Sequence, residues 1–286
     1  MSLKRWKKIL DDLKYVLKLS RPRFWLYLAG PAILGIVIGA ESASQLFTVQ
    51  NFLIFLYFLI PANIMLYGVN DYFDREIDEE NPKKDDREEA YRANNFTDSI
   101  IVAATVTSIP VTIPLSGAAW PFMIGFLALS VAYSAPPLRF KARPFLDSLS
   151  NGLYILPLGV SYGAVTGTWP PVAIMAAGWT WSMAMHTFSA IPDIEPDRKA
   201  GVSTTATYLG RRETYIYCIA VWTVAAAISG LYSIYAGALL GIYPLLCAGF
   251  YLSDLSDSEA YWYYPYINSL IGMVLTIMAM WVLING

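Results

Sequence analysis

The chain holds two cysteines and one histidine in 286 residues. Cys218 and Cys247 both fall inside apolar runs, so no disulfide framework is expected, and no zinc-type spacing is present. With His186 the sole histidine, a multi-histidine metal centre is excluded. Charge is scarce as well. Asp, Glu, Lys and Arg make up 15% of residues against 56% hydrophobic, and mean hydropathy is positive. That balance belongs to a polytopic membrane protein and not to a soluble domain. A net charge of −2 gives no sign of a nucleic-acid partner, and none is expected. Residues 1–23 contain no uninterrupted apolar core and do not read as a cleaved signal peptide.

What is abundant is apolar sequence. Nine runs are candidate membrane spans, near 24–40, 52–69, 98–116, 121–138, 148–167, 172–191, 213–229, 235–252 and 262–284. Ahead of them, Leu3, Trp6, Leu10, Leu13 and Leu17 share one helical face, and the lysines lie mostly elsewhere. Residues 1–23 therefore read as a basic amphipathic helix in the membrane interface; a solvated amphipathic tail is the plainer alternative. Basic residues fall in this segment and in the 70–97, 139–143 and 198–212 loops, and none follows Arg212. The positive-inside rule makes that side cytoplasmic, so the C-terminus of a nine-span protein faces outward. Arg21-Pro22 and Arg143-Pro144 precede the first and fifth spans, a weak internal repeat. It predicts an all-α protein of two four-helix halves plus a ninth helix.

The strongest signal lies at the mouths of two spans. Asn70, Asp74 and Asp78 follow the second run at i, i+4, i+8, which places them on one helical face. Asp193 and Asp197 follow the sixth run, each 119 positions after Asp74 and Asp78 respectively. Carboxylates at a membrane mouth are expensive to desolvate and repel one another unless a cation sits among them. Hard oxygen donors suit Mg²⁺ together with substrate phosphates. A solvated charge run is the plainer alternative, and it fits Glu79 onward better than the spaced pairs. Pro192 and Pro196 complicate the second pair, because proline interrupts a helix. Arg139, Lys141 and Arg143 would neutralise a phosphate, or serve only as inside anchors. Asp147 is a candidate N-cap. Asn151 is a candidate polar lining group, and His186 either lines the chamber or packs as a hydrogen-bonded core residue.

At these motifs the chain resembles the UbiA superfamily of intramembrane prenyltransferases. Its NxxxDxxxD motif is matched by Asn70, Asp74 and Asp78. Its second motif is matched by Asp193 and Asp197, followed by Arg198, Gly201 and Tyr208-Leu209-Gly210, although Ala190 replaces the first aspartate of the longer pattern. Residues 133–141 are similar to the family's tyrosine-and-lysine loop. The strings 81–84 and 186–193 resemble the lycopene elongase branch. The resemblance implies nine helices around a central cavity in residues 24–286, capped by the cytoplasmic loops 70–97, 139–147 and 191–212. It implies two Mg²⁺ ions held by Asn70, Asp74, Asp78, Asp193 and Asp197, an isoprenyl diphosphate donor and a lipophilic acceptor among membrane lipids. Lys141, with Arg139 and Asn70, would bind the diphosphate, and Tyr133 would face the reacting carbon. Asp74, Asp78, Asp193, Asp197, Tyr133 and Lys141 are thus the expected catalytic set. Such chemistry asks for a neutralised leaving group and a dry chamber for the allylic cation. From the residues alone, a secondary transporter and a non-catalytic prenyl-diphosphate binder remain as rivals.

Overall fold

The computed structural model describes residues 3–78 and 95–285, with the side chains of 3, 4 and 75–78 left outside that description. Every regular element among the described residues is helical. An N-terminal helix, α1 (Leu3–Leu19), leads through a short 3-10 turn into α2 (Trp25–Gly39). Next come α3 (Val49–Leu59), α4 (Pro61–Asp78), α5 (Asn95–Val106), α6 (Trp120–Ser134), α7 (Leu146–Ser150) and α8 (Leu156–Thr166). The chain continues with α9 (Val172–Ser189), α10 (Ile194–Lys199), α11 (Thr205–Leu209) and α12 (Arg211–Tyr232). It ends in α13 (Ile234–Leu240), α14 (Ile242–Leu252) and α15 (Asp257–Asn285).

Five helical stretches are long and apolar enough to cross a membrane: Pro22–Gly39, Val49–Asp74, Arg211–Tyr232, Ile234–Leu252 and Asp257–Asn285. The remaining four of the nine expected runs are shorter, interrupted or diluted. The third breaks at Thr107. The fourth gives the 15-residue α6 and stops ahead of Pro136-Pro137. The fifth is split by a 3-10 turn at Asn151–Ile155. The sixth is one helix, α9, whose hydropathy is lowered by Thr180, Ser182, His186, Thr187 and Ser189.

Two local features explain how the helices fit. Pro61 cannot donate to the ladder, so α3 and α4 meet at a kink. Asn63, fully buried, donates its amide to the carbonyls of Phe58 (2.9 Å) and Leu59 (3.0 Å) there. A side chain thus satisfies backbone groups that lipid would leave bare. Second, α2 crosses α8 so closely that a Cβ on Gly35 would lie 2.4 Å from the carbonyl oxygen of Leu158. Small residues at such crossings let membrane helices approach backbone to backbone.

Packing sorts the molecule into two apolar cores. One gathers α1 to α6 and α8, from Tyr15 and Leu19 through Phe58, Met65 and Phe126 to Val160. The other gathers α9, α12, α14 and α15 around Trp222. Trp222 stacks on Tyr243 and Tyr264 at centroid distances of 5.5 and 5.4 Å. Each such pair adds about 0.5–1.5 kcal/mol beyond burial. The boundary between the cores falls after α8, whereas the Arg-Pro repeat predicts it near residue 143. The repeat is not echoed in conformation either. Arg21 holds a left-handed backbone (φ 49°) and points inward to Asp71, but Arg143 is extended and donates to the Pro137 carbonyl at the surface.

Candidate active site

The last turns of α4 reach the seam between the cores. Asn70 and Asp74 are one turn apart on α4 and share partners. Ser134, at the end of α6, donates to Asn70 Oδ1 (2.9 Å). Lys141 Nζ donates to the same oxygen (3.1 Å) and pairs with the Asp74 carboxylate. Arg139 Nη2 stands 3.5 Å from Asp74 Oδ1. Two cations therefore converge on the first motif from the loop after α6. They get there because Arg139 adopts a left-handed backbone (φ 39°), which opens the 3-10 turn Phe140–Ala142 carrying Lys141. A non-glycine residue in that region carries strain, and here it aims both cations at one carboxylate. Lys141 and Asp74 are largely buried, with 12% and 17% of their side chains exposed. At that depth the attraction is weakly screened. Asp78 ends α4, and its side chain lies outside the described residues.

The second motif sits where α9 has ended. Pro192 and Pro196 have the effect foreseen for them. The chain leaves α9 at Ser189, makes a 3-10 turn at Ile191–Asp193, and restarts as α10. Asp193 and Asp197 are both half-buried. Arg198 pairs with Glu195 (3.0 Å) and donates to the Thr207 carbonyl (3.1 Å), which ties α10 to α11. Among the described residues, no group of three or more His, Cys, Asp or Glu side chains is gathered closely enough to enclose a metal ion.

Between the first motif and the end of α9, ahead of the second, lies a cavity of about 210 Å³ at the seam. Asn70 and Tyr133 line it from one side, and His186 and Ser189 from the other. Arg21 lines it too, paired with buried Asp71 (2.8 Å) and lying over the Tyr67 ring at 4.5 Å. Tyr67 and Tyr154 place their hydroxyls 3.4 Å apart on the wall. A second, mostly apolar cavity of about 400 Å³ runs beside α2, α9 and α15, and shares Tyr27 and Trp181 with the first. At the junction, Asn268 donates to the Tyr27 hydroxyl (2.7 Å) and accepts from Tyr243 (2.8 Å).

Several of these residues were not visible as site residues in the sequence. Asp71 is adjacent to Asn70 and reads as part of the acidic run; only its partner 50 positions away distinguishes it. Tyr27, Tyr67, Tyr154 and Trp181 are scattered among twenty tyrosines and nine tryptophans with no local string to mark them. Asp147 is a correction. It does not cap its own helix, whose N-cap is Phe145. It is fully buried and accepts from the Thr205 backbone N–H (2.8 Å) and from the Thr205 hydroxyl. Asn151 lines the cavity as expected and donates to the Asp147 carbonyl (2.6 Å). His186 both lines the cavity and lies 3.4 Å from the Tyr133 hydroxyl, so the two roles weighed for it coexist.

The donor chemistry at the first motif fits Mg²⁺. Asn70 Oδ1 and the Asp74 carboxylate are hard oxygens on one helical face, and the adjoining cavity leaves room for waters and phosphate oxygens.

Comparison with known proteins supplies the family. The profile of the UbiA prenyltransferase family matches residues 28–253. The chain is 49% identical to the lycopene elongase/hydratase of Haloferax volcanii, covering 96% of this chain and 92% of that protein. It is 50% identical to the lycopene elongase/hydratase of Halobacterium salinarum, covering 96% and 99%. Among solved structures, a UbiA homolog from Archaeoglobus fulgidus bound to DMAPP and Mg²⁺ superposes with a TM-score of 0.71 at 20% identity, covering 94% of this chain and 99% of that one. The helical architecture and the length and strength of the sequence match place this chain in the UbiA prenyltransferase family, and it is a prenyltransferase.

Proposed function

We propose that the protein transfers an isoprenyl group from an isoprenyl diphosphate to the end of an acyclic carotenoid inside the membrane, in a Mg²⁺-dependent reaction. The observation that carries this reading is the joint cavity. Asn70 from the first motif and His186 and Ser189 from the approach to the second face one space, which opens beside a larger apolar cavity. The diphosphate belongs at the polar end and the carotenoid along the apolar one. Asn70, Asp74, Asp78, Asp193 and Asp197 would hold the metal, which supplies charge neutralisation for the departing diphosphate. Lys141 and Arg139 already stand at Asp74 and add their charge to the same leaving group. Tyr133 and the aromatic wall of Tyr67 and Tyr154 present ring faces to the allylic cation and keep water from it. The curated relatives are named for two activities, elongation and hydration. We extend both to this chain.

In this reading the protein crosses the cell membrane nine times, with α5, α6, α7–α8 and α9 adding four crossings to the five long stretches. The N-terminus and the opening of the site are cytoplasmic, the C-terminus is outside, and the loops 70–97, 139–147 and 191–212 cap the site. Helix α1 lies in the interface and offers lipid the exposed side chains of Trp6, Leu10, Leu13 and Leu17. The test is diphosphate release by purified protein in lipid vesicles supplied with dimethylallyl diphosphate, lycopene and Mg²⁺. Replacement of Asp74 or Asp193 by alanine is expected to lower release by at least about a hundredfold. Wild-type rates in both variants sink the proposal.

A further inference from the structure

Three polar side chains at the seam, His186, Asp147 and Thr205, have no chemical role in prenyl transfer as described. His186 of α9 lines the smaller cavity. Asp147 of α7 lies behind it, wholly buried, with Oδ2 4.0 Å from His186 Nε2. Thr205 fixes that carboxylate by donating its backbone N–H to the same Oδ2 and its hydroxyl to Oδ1. The Tyr133 hydroxyl lies 3.4 Å from the same Nε2. An imidazole backed by a buried, hydrogen-bonded carboxylate and facing a cavity is the arrangement of an oriented base. It is also the only imidazole in the chain.

We propose that His186 is the general base of a hydration step that ends the reaction on the acceptor, with Asp147 as its positioning residue. The inference rests on the prenyl-transfer reading above and adds to it the residues that handle water. When an allylic cation is attacked by the π electrons of a terminal alkene, one carbon–carbon bond forms. The positive charge then moves to the neighbouring, more substituted carbon of the acceptor. Two fates compete. Loss of a proton from carbon restores an alkene. Attack by a water lone pair forms a carbon–oxygen bond, and the oxonium so made must release one proton to become the alcohol. His186 takes that proton, and the Asp147 carboxylate faces the imidazolium that results. The proton then passes to the diphosphate or to solvent, so the sum is donor, acceptor and water giving a prenylated alcohol and protonated diphosphate. Ser182 and Ser189 share the His186 wall, with Leu66 and Leu153 elsewhere on the lining. The space of about 210 Å³ has room for a water beside a reacting chain end.

The experiment uses the full-length protein in lipid vesicles with dimethylallyl diphosphate, Mg²⁺ and lycopene as the probe acceptor, in heavy-oxygen water. It reads diphosphate release and the ratio of hydrated to unhydrated prenylated product. In His186→Gln, release is expected to stay within about threefold of wild type while the product ratio falls by about a hundredfold. Asp147→Asn, which keeps an oxygen for Thr205, is expected to shift the ratio the same way by about tenfold. If His186→Gln does not accumulate, His186→Asn and Asp147→Asn carry the same test. An unchanged ratio overturns the proposal. So does an equal loss of release and hydration in a variant that keeps the wild-type Tm. A wild-type protein that prenylates but adds no labelled oxygen overturns the hydration step alone. One that releases no diphosphate fails earlier, at the transfer reading.

Discussion

Arg21 and Asp71 form a charge pair that the motif chemistry does not require. Asp71 has 2% of its side chain exposed and Arg21 16%, and they meet at 2.8 Å. Breaking one side of a buried pair is more damaging than losing both, because the remaining charge stays in a poor solvent. Asp71→Asn is therefore expected to lower stability by about 3 kcal/mol, and the double replacement Arg21→Met, Asp71→Leu to recover most of it. Thermal unfolding in detergent checks the order of the three proteins; a single variant as stable as the double one contradicts it. Asn70 and Asp74 were legible from spacing alone, because a shared helical face is a local property. Asp71 was not, since spacing assigns it to another face of α4 without saying what that face meets. Lys141 was legible as a phosphate-binding candidate, but its resting place against Asp74 depends on the backbone turn at Arg139, which no propensity predicts.

Helix α2 is hemmed in by three others. It packs on α3, α8 and α15, and at Gly35 it has no space for a side chain against α8. Gly35→Val forces the backbones apart and is expected to destabilise by about 1–3 kcal/mol. Because α2 also contributes Tyr27 to the junction of the two cavities, transfer activity should fall along with Tm. Measuring both on one preparation checks this, and an unaltered Tm counts against the close crossing. Helix positions were well read from apolar runs, since a run announces itself. Helix ends and interruptions were less so. The 3-10 turn at Asn151–Ile155 lies inside what reads as a single span, where Gly152 allows the Trp179 indole to press on the backbone. That contact joins residues from two different runs, so neither run contains the reason for its own break.

At the scale of the whole molecule the site is a gap between two cores, and its polar and apolar parts meet at Tyr27 and Trp181. If the donor tail or acceptor end passes this junction, its width sets how much chain is accepted. Trp181→Ala should raise the ratio of transfer from geranyl over dimethylallyl diphosphate by about tenfold, or about 1.4 kcal/mol, as read by competition between the two donors. A fixed ratio would place the chain elsewhere. The matched positions of the acidic motifs predict one chamber fed from both halves, and the cavity does receive Asn70 from the first motif and His186 and Ser189 from the helix that leads to the second. The place where the molecule divides was not. The Arg-Pro repeat marks residue 143, whereas α8 still packs into the first core and the division comes after it, because packing follows buried area.

That displaced seam bears on how the polypeptide is made. By the time α8 leaves the ribosome, every helix of the first core has been synthesised, and its Phe58–Phe126 contact needs nothing from downstream. The later helices bring their own aromatic stack. Assembly can then proceed as two consecutive insertions. The cavity at the seam comes into being only when the second half docks, so a nascent chain cannot trap a ligand prematurely between its two walls.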